Sequence, residues 1–110
     1  MSRDDATVLD ILNAARLATR FVEGMDKAGF LKDAKTQSAV LHQLLVLGEA
    51  VKRLGAPFRE QHSETPWHLV AAMRNKIIHE YDDVDLEEVW KTVTSDLPRL
   101  IQSLQPPAQT

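Results

Sequence analysis

One stretch of the sequence, from about residue 34 to 54, repeats large apolar residues at alternating steps of four and three. The seam consists of Val40, Leu44, Leu47, Val51 and Leu54, and it is widened on one side by Leu41, Leu45 and Gly48. Such steps place side chains on one face of an α-helix, and so broad a face is typical of a helix that packs against several neighbours or against a second subunit. A glycine costs about 1 kcal/mol relative to alanine inside a helix, so we expect a close helix crossing at Gly48.

Three further segments show helical spacing, and no segment shows the alternation of a β-strand. They run roughly over residues 5–23, from Pro66 to about His79–Tyr81, and from Asp85 to Leu104, where Pro98 should kink or split the helix. The sequence therefore predicts an all-α protein, an up-and-down bundle of four main helices with a short connector turn and a kinked or split last helix.

Local sequence patterns predict which residues cap the helices and which side chains form an ion pair on the second helix. Asp4 or Asp5 can cap the first helix, Thr65 can cap the third, and Asp85 can cap the last. On the second helix, Glu49 is spaced to pair with Arg53 four residues later. An interhelix or intersubunit polar contact is another interpretation of Glu49.

Length and charge limit the function classes. With 110 residues we expect a single helical domain over residues 1–104 and a flexible tail, "QPPAQT", over residues 105–110. The absence of cysteine excludes disulfides and thiolate metal sites. Thirteen basic residues against 16 acidic ones give a net charge of −3, which does not favour coating nucleic acid through the overall field. A nucleic-acid function must therefore depend on particular residues.

No segment resembles a membrane span or a signal peptide. The longest apolar run is five residues, Leu69 to Met73, far short of the span that a bilayer requires. The opening "MSRDDATV" carries two acids where a signal peptide has basic and then apolar residues. We expect a soluble, cytoplasmic protein that does not associate with a membrane.

The nine residues "MRNKIIHEY" (73–81) concentrate chemically active side chains near the end of the third helix. They include Arg74, Asn75, Lys76, His79 and Tyr81. Arginine is a fixed cation that forks onto phosphate oxygens, and histidine exchanges a proton near neutral pH. Cations near a helix C-terminus also simply favour the helix dipole, and on spacing alone this structural interpretation is the stronger one.

Helix geometry restricts how the motif can work. Arg74 and His79 are five residues apart, about 140° around a helix, so they cannot share one face of an unbroken helix. Arg74 and Tyr81, seven residues apart, can share a face if the helix continues that far. An Arg–His site therefore requires either that the helix ends before His79 or that a second subunit contributes across a two-fold axis.

Such an arrangement suits cleavage of RNA without a metal. RNA supplies its own nucleophile, the 2′-hydroxyl, and needs a group that removes its proton, a group that protonates the 5′-oxygen, and positive charge on the phosphate. His79 can serve as the base or the acid, and Arg74 can supply the charge. Asn75 can orient a phosphate or a ribose hydroxyl, and Lys76 can extend the basic surface.

Three segments, "AVLHQLLVLGEAVKRL" (39–54), "PWHLVAAMRNKIIHEY" (66–81) and "VDLEEVWKTVTSDLPRL" (84–100), resemble the HEPN superfamily. More narrowly, they resemble the HepT-like toxins of HEPN/MNT toxin–antitoxin pairs. The resemblance covers residues 35–100 in order, including "GEA" at 48–50 and the complete Arg-x4-His-x-Tyr run.

The resemblance implies a dimeric, metal-independent ribonuclease with Arg74 and His79 as the catalytic pair in a cleft at the dimer interface, with no cofactor. It implies an MNT-type nucleotidyltransferase antitoxin as partner, which would transfer AMP from ATP to Tyr81 and so silence the toxin. Phosphate charge beside Arg74 would repel RNA. The alternative is a non-catalytic HEPN module that only binds and positions the nucleotidyltransferase.

Other polar and aromatic residues have simpler interpretations. His42, His62 and His68 lie on separate elements without a second ligand at helical spacing, so they are better explained as surface histidines than as metal ligands. The acidic residues between Glu80 and Asp85 are explained by helix capping, with a bound cation or a partner contact as alternatives. Trp67 and Trp90 fall on apolar stripes and should anchor the core.

Overall fold

The structure is a computed structural model that describes residues 2–104. The tail expected at residues 105–110 lies outside the described residues. In chain order the helices are α1 (Arg3–Phe21), α2 (Lys27–Leu31), α3 (Ala34–Lys52), α4 (Ala56–Gln61), α5 (Trp67–His79), α6 (Leu86–Lys91) and α7 (Leu97–Leu104). A 3₁₀ turn, Tyr81–Asp83, precedes α6, and a π-helical segment, Thr92–Asp96, joins α6 to α7. Residues 2–104 contain no β-strand, so the predicted all-α class is confirmed.

The four long elements of the bundle are α1, α3, α5 and the continuous unit formed by α6, the π-helical segment and α7. Helix α3 lies between α1 and α5, and α1 also packs against α7. Short α2 closes the bundle by packing on α3 and α6. The core side chains that are almost completely buried are Ile11, Phe30, Val40, Leu47, Ile77, Val89, Val93, Leu97 and Leu100. The predicted apolar faces therefore meet in one core.

The beginning of α1 differs from the prediction. The helix begins at Arg3, and its cap is Ser2 rather than Asp4 or Asp5. The Ser2 hydroxyl accepts a hydrogen bond from the Asp5 backbone N–H, and the Asp5 carboxylate accepts one from the Ser2 N–H, which makes a reciprocal capping box. The carboxylate of Asp4 instead accepts a hydrogen bond from the Gly55 N–H and ties α1 to the start of α4.

The entrance to α5 was also predicted wrongly. Pro66 occupies the capping position, and no side chain caps this helix. The buried Thr65 hydroxyl instead lies 2.8 Å from the Ser103 hydroxyl on α7. Thr65 therefore joins the start of α5 to the end of the bundle. Asp85 does cap α6 as predicted, since its carboxylate accepts hydrogen bonds from the N–H groups of Glu87 and Glu88.

The irregularity expected at Pro98 is present in the last helical unit. In a regular helix the ring of Pro98 would clash with the carbonyl four residues earlier, and its missing N–H would leave that carbonyl without a partner. The π-helical segment ends two residues before Pro98, with the Leu97 N–H donating to the carbonyl of Thr92. The prediction of a kinked last helix is confirmed.

No helix within residues 2–104 is both long enough and apolar enough to cross a membrane.

Candidate active site at the crossing of α3 and α5

The closest approach of α3 and α5 occurs at Gly48 and Arg74. A Cβ atom added to Gly48 would lie 2.5 Å from both the Cβ and the Cγ of Arg74. Those atoms belong to the base of the arginine side chain, which cannot swing away without moving α5. The close crossing predicted at Gly48 is therefore confirmed, and it places the aliphatic part of Arg74 directly on the backbone of α3.

Glu49, the residue after Gly48, holds the guanidinium of Arg74. The Nε of Arg74 donates to Glu49 Oε1 at 2.9 Å, and Nη2 donates to the same oxygen. The Arg74 side chain is only 19% exposed, whereas that of Glu49 is 49% exposed. The cation is therefore largely covered by protein, and the carboxylate lies at the surface above it.

This contact corrects the predicted pairing on α3. Glu49 does not pair with Arg53, because the Arg53 guanidinium lies 3.3 Å from a carboxylate oxygen of Asp10 on α1. Spacing within one helix could not reveal that α1 and α5 each offer a partner of opposite charge. The interpretation of Glu49 as an interhelix contact is confirmed. The hydrogen bond from Arg74 lowers the pKa of Glu49 below its ordinary value, so the carboxylate stays ionised near neutral pH.

Asn75 completes the set of groups around the guanidinium. Its side-chain oxygen accepts a hydrogen bond of 2.9 Å from Nη1 of Arg74. An arginine has five N–H donors, and Glu49 and Asn75 engage three of them. Two N–H groups, one on each terminal nitrogen, therefore have no hydrogen-bond partner within residues 2–104. Asn75 is therefore a direct hydrogen-bond partner of the Arg74 guanidinium.

His79 is the last residue of α5, so the helix is continuous from Arg74 to His79. The possibility that the helix ends before His79 is excluded, and the two side chains leave α5 in directions about 140° apart. His79 is exposed. Within residues 2–104, no hydrogen bond joins the His79 imidazole to the Arg74 guanidinium, whose partners are Glu49 and Asn75.

Tyr81 lies beyond the end of α5. The backbone leaves helical geometry at Glu80, where φ is −133° and ψ is 37°, and Tyr81 opens the 3₁₀ turn. The helical register between Arg74 and Tyr81 therefore does not hold. The Tyr81 side chain is nevertheless exposed, with 49% of its surface accessible, and the tyrosine lies two residues after His79.

Lys76 belongs to a different side of α5 from Arg74. Its ammonium donates to Glu88 on α6 at 2.8 Å, and this hydrogen bond raises the pKa of Lys76. Two positions along a helix correspond to about 200° of rotation, so the structure does not bring Lys76 to the guanidinium. A supporting role for Lys76 stays a prediction.

The remaining singled-out residues have structural explanations. His62 stacks on Phe58 with ring centroids 4.3 Å apart, and its carbonyl accepts a hydrogen bond from the Trp67 ring. Trp90 packs on Phe30 with ring centroids 5.4 Å apart, so both tryptophans serve as anchors beside the core. Among residues 2–104, no group of three or more histidines and acids is arranged to hold a metal ion.

Comparison with known proteins identifies the family of this chain. Residues 11–106 match the sequence profile of the family described as "Ribonuclease HepT-like". The chain belongs to the HepT-like ribonuclease family. In the HepT-like match, all of α3 and α5 fall within the matched region, and so does every residue of the Arg74 site.

Individual relatives support membership of the HepT-like family. The chain is 43% identical over 91 residues to the "Probable ribonuclease HepT" of Thermococcus cleftensis, which covers 83% of each protein. It is 39% identical over 90 residues to a protein named as an RNase from Caldanaerobacter subterraneus, covering 82% of this chain and 80% of the relative. A protein named as an RNase from Methanocaldococcus jannaschii is 31% identical over 107 residues, covering 96% and 98%. No solved structure gave a significant match.

The residue that sequence reasoning underestimated is Glu49. The sequence feature that indicates a contact for Glu49 is its position next to Gly48. A second helix that crosses at a glycine brings its own side chains within reach of the residue beside that glycine. That signal indicates the contact but does not identify the partner. Only the crossing itself shows that the partner is the arginine of the motif.

Proposed function

We propose that this protein is a metal-independent endoribonuclease that acts as a dimer, with Arg74 and His79 as its catalytic residues. Membership of the HepT-like family supports RNA as the substrate. The main support for the proposal is that the Arg74 side chain is held in place. It packs against Gly48, and its guanidinium is oriented by hydrogen bonds to Glu49 and Asn75. Two N–H groups of a positioned guanidinium match two oxygens of a phosphodiester.

A phosphorane, the five-coordinate phosphate of the transition state, is stabilised best by a guanidinium that is oriented before the reaction begins. A guanidinium that is already oriented loses little freedom when the negative charge on the phosphate oxygens grows. Glu49 has a cost in this arrangement, because its negative charge reduces the net field at the phosphate. The gain is geometric: the carboxylate occupies the inner N–H groups and leaves the outer ones for RNA.

The proton transfers need His79, and the separation of about 140° between Arg74 and His79 on α5 supports a second copy as a further source of this group. In a two-fold dimer the same face meets itself, so two Arg–His pairs line one cleft. Neutral His79 of one chain removes the proton of the 2′-hydroxyl as this oxygen bonds to phosphorus. Protonated His79 of the partner subunit gives its proton to the 5′-oxygen as the P–O5′ bond breaks. The products are a 2′,3′-cyclic phosphate and a free 5′-hydroxyl.

The proposal includes control by an MNT-type nucleotidyltransferase antitoxin in the cytoplasm, as the family resemblance implies. The exposure of Tyr81 and its position two residues after His79 support this control. The Tyr81 hydroxyl would attack the α-phosphate of ATP, forming a Tyr–O–P bond and releasing pyrophosphate. The attached phosphate would place negative charge beside the cleft and repel RNA.

An RNA cleavage assay with chelator and no added metal tests the catalytic proposal. The wild type should cleave, and cleavage by the folded Arg74→Ala and His79→Ala variants should be strongly reduced. The matched control is His68→Ala, since His68 is also an exposed histidine of α5 and lies eleven residues earlier on nearly the same face. If a folded wild type binds the nucleotidyltransferase but leaves RNA intact, the non-catalytic module is the correct function and the ribonuclease proposal fails.

A further inference from the structure

A groove between α1 and α3 reaches the candidate active site. The groove has a volume of about 540 Å³, and its apolar lining consists of Ala14, Leu17, Leu45 and Val46. Glu49 also lines the groove, and the same carboxylate binds the guanidinium of Arg74. The groove therefore opens beside the arginine for which we propose contact with the cleaved phosphate.

The direction of the groove follows from the contacts between α1 and α3. The Arg53 guanidinium on α3 pairs with Asp10 on α1 at 3.3 Å, and Arg53 lies one turn after Glu49. This ion pair therefore lies at the active-site end of the groove. Leu17 lies seven residues after Asp10, about 10 Å along α1, and so lines the far end.

Two arginines continue the surface beyond the far end of the groove. Arg16 and Arg20 are exposed and lie one turn apart on α1, so they share one side of the helix. Together with Asn13 and Leu17 they line a second cavity of about 380 Å³. Asn13 and Leu17 line both cavities. The groove and the second cavity thus form one continuous surface, which we call the α1–α3 track.

The charges of the α1–α3 track favour an anion. Within residues 2–104 no carboxylate lies within 4 Å of Arg16 or Arg20, including that of Glu23, three residues after Arg20. The two acids that line the groove, Asp10 and Glu49, each pair with an arginine. The track is therefore positive although the chain as a whole has a net charge of −3.

The combination of charge and apolar surface suits a single strand of RNA. A guanidinium forks onto two phosphate oxygens, so Arg16 and Arg20 match two phosphates of a strand. An unpaired base can turn its flat face to an apolar surface and its edge to polar side chains. Asn13 and Gln43 supply amide groups for that edge, because both line the groove.

We propose that the α1–α3 track binds the unpaired RNA strand beside the phosphate held by Arg74, with Arg16 and Arg20 on two further phosphates and a base in the groove. This inference rests on the proposed function for RNA as the substrate and for the position of the cleaved phosphate. Arg20 lies ten residues after Asp10, about 15 Å along α1. The contacts of Arg20 are therefore made away from the bond that is cut, and they contribute to binding rather than to chemistry.

Binding of an RNA that cannot be cleaved tests the phosphate contacts. A single-stranded 2′-O-methyl RNA of roughly a dozen nucleotides keeps its phosphates and bases but lacks the nucleophilic hydroxyl. Fluorescence anisotropy at several salt concentrations gives Kd and its salt dependence for the wild type, Arg16→Ala and Arg20→Ala. The matched control is Arg99→Ala, which removes an exposed arginine of α7 that does not line the track. Circular dichroism checks that each variant is folded.

We expect Arg16→Ala and Arg20→Ala each to raise Kd by roughly 10-fold at low salt, the usual effect of losing a charged hydrogen bond. Each should also reduce the slope of log Kd against log salt by about 0.7, the contribution of one phosphate contact to a single strand. Arg99→Ala should match the wild type. Unchanged slopes in the two α1 variants overturn the proposal, and so does an equal change in Arg99→Ala, which would indicate a response to total charge.

A second pair of substitutions tests the base in the groove. Asn13→Ala and Gln43→Ala keep the charge of the track, so the salt dependence of binding should stay that of the wild type. The order of affinities for the four homopolymeric 2′-O-methyl RNAs should change, because the amides contact the edge of the base. An unchanged order of affinities in both variants would remove the base from the groove.

Cleavage assays separate the α1–α3 track from the proposed function. Arg16→Ala and Arg20→Ala should raise KM and leave kcat near the wild-type value, because neither side chain contacts the reacting atoms. If the wild type binds RNA through these arginines but leaves it intact, the track is correct and the proposed function is wrong. If RNA is cleaved and the salt dependence is unchanged in both variants, the function stands and the track is refuted.

Discussion

Gly48 and Arg74 are in contact at the crossing of α3 and α5, and the space between them does not admit even a methyl group. The Cβ position of Gly48 lies 2.5 Å from two carbon atoms of Arg74. The glycine that allows the bundle to close is therefore also the residue that sets the position of the arginine. Stability and the geometry of the site are coupled at this one contact.

Substitution Gly48→Ala should lower both stability and activity. Alanine gains about 1 kcal/mol in helix propensity, but overpacking of this kind costs about 1–3 kcal/mol and moves Arg74 away from Glu49. We expect a net loss in the free energy of unfolding, measured with urea, together with a clear loss of RNA cleavage. The wild type is the reference for both measurements, and a Gly48→Ala variant as stable as the wild type would contradict the tight crossing.

Substitution Glu49→Gln should weaken cleavage while the fold is kept. The amide still accepts a hydrogen bond but lacks the charge that holds the guanidinium, so we expect cleavage to fall by roughly 10-fold. The control is Glu88→Gln, which removes the ion pair with Lys76 from the opposite side of α5. Assays at saturating and at low RNA concentration distinguish poorer chemistry from poorer binding. A Glu49→Gln variant more active than the wild type would show that the carboxylate competes with phosphate instead.

The stability contributed by Glu49 should depend on pH in a defined direction. A carboxyl group whose pKa is lower in the folded chain stabilises the fold above its unfolded pKa, and this contribution is lost as the pH falls through the folded pKa. The hydrogen bond from Arg74 lowers the pKa of Glu49 from an ordinary value of 4.5.

The measurement compares urea unfolding of the wild type and Glu49→Gln across this range. The wild type should be more stable near pH 7, and the difference should shrink as the pH falls below about 4.5. Asp5 and Asp33, whose pKa values are also lowered, are present in both proteins and cancel in the difference. A difference that grows toward low pH would contradict the assignment.

Substitution His79→Ala should reduce cleavage by about 10²–10⁴-fold, the usual effect of removing a general acid or base. The fold should be unaffected, because His79 is exposed at the end of α5. Single-turnover rates with a defined RNA give the magnitude, and His68→Ala should cleave at the wild-type rate. Equal loss in both variants would point to a general effect on α5 rather than to catalysis.

Substitution Tyr81→Phe should leave cleavage intact and remove the silencing proposed for the nucleotidyltransferase. Tyr81 is the single tyrosine of the sequence, so an increase in mass by one or more AMP units after incubation with the nucleotidyltransferase and ATP can be mapped without ambiguity among tyrosines. We expect this increase in the wild type, with loss of cleavage, and neither change in Tyr81→Phe. An AMP mapped to another residue would remove Tyr81 from the control mechanism.

Much of this protein follows from its sequence alone. The steps of three and four determine which residues form helices and which faces they bury, because helix geometry is local and burial of apolar surface is its main source of stability. The same rule places Arg74 and His79 on different sides of one helix. Gly48 also predicts a close helix crossing, because a glycine inside a helix lowers stability unless a second helix packs closely against it.

Only the tertiary structure determined which side chains pair with each other in ion pairs and hydrogen bonds. Glu49 had a plausible partner one turn away in Arg53, yet it binds Arg74, and Arg53 binds Asp10. Thr65 had the position of a helix cap, yet its hydroxyl meets Ser103. The physical reason is that ion pairs and side-chain hydrogen bonds depend on distances of about 3 Å, and packing of separate helices sets those distances. Periodicity determines which face a residue occupies, whereas the crossing of α3 and α5 determines what that residue touches.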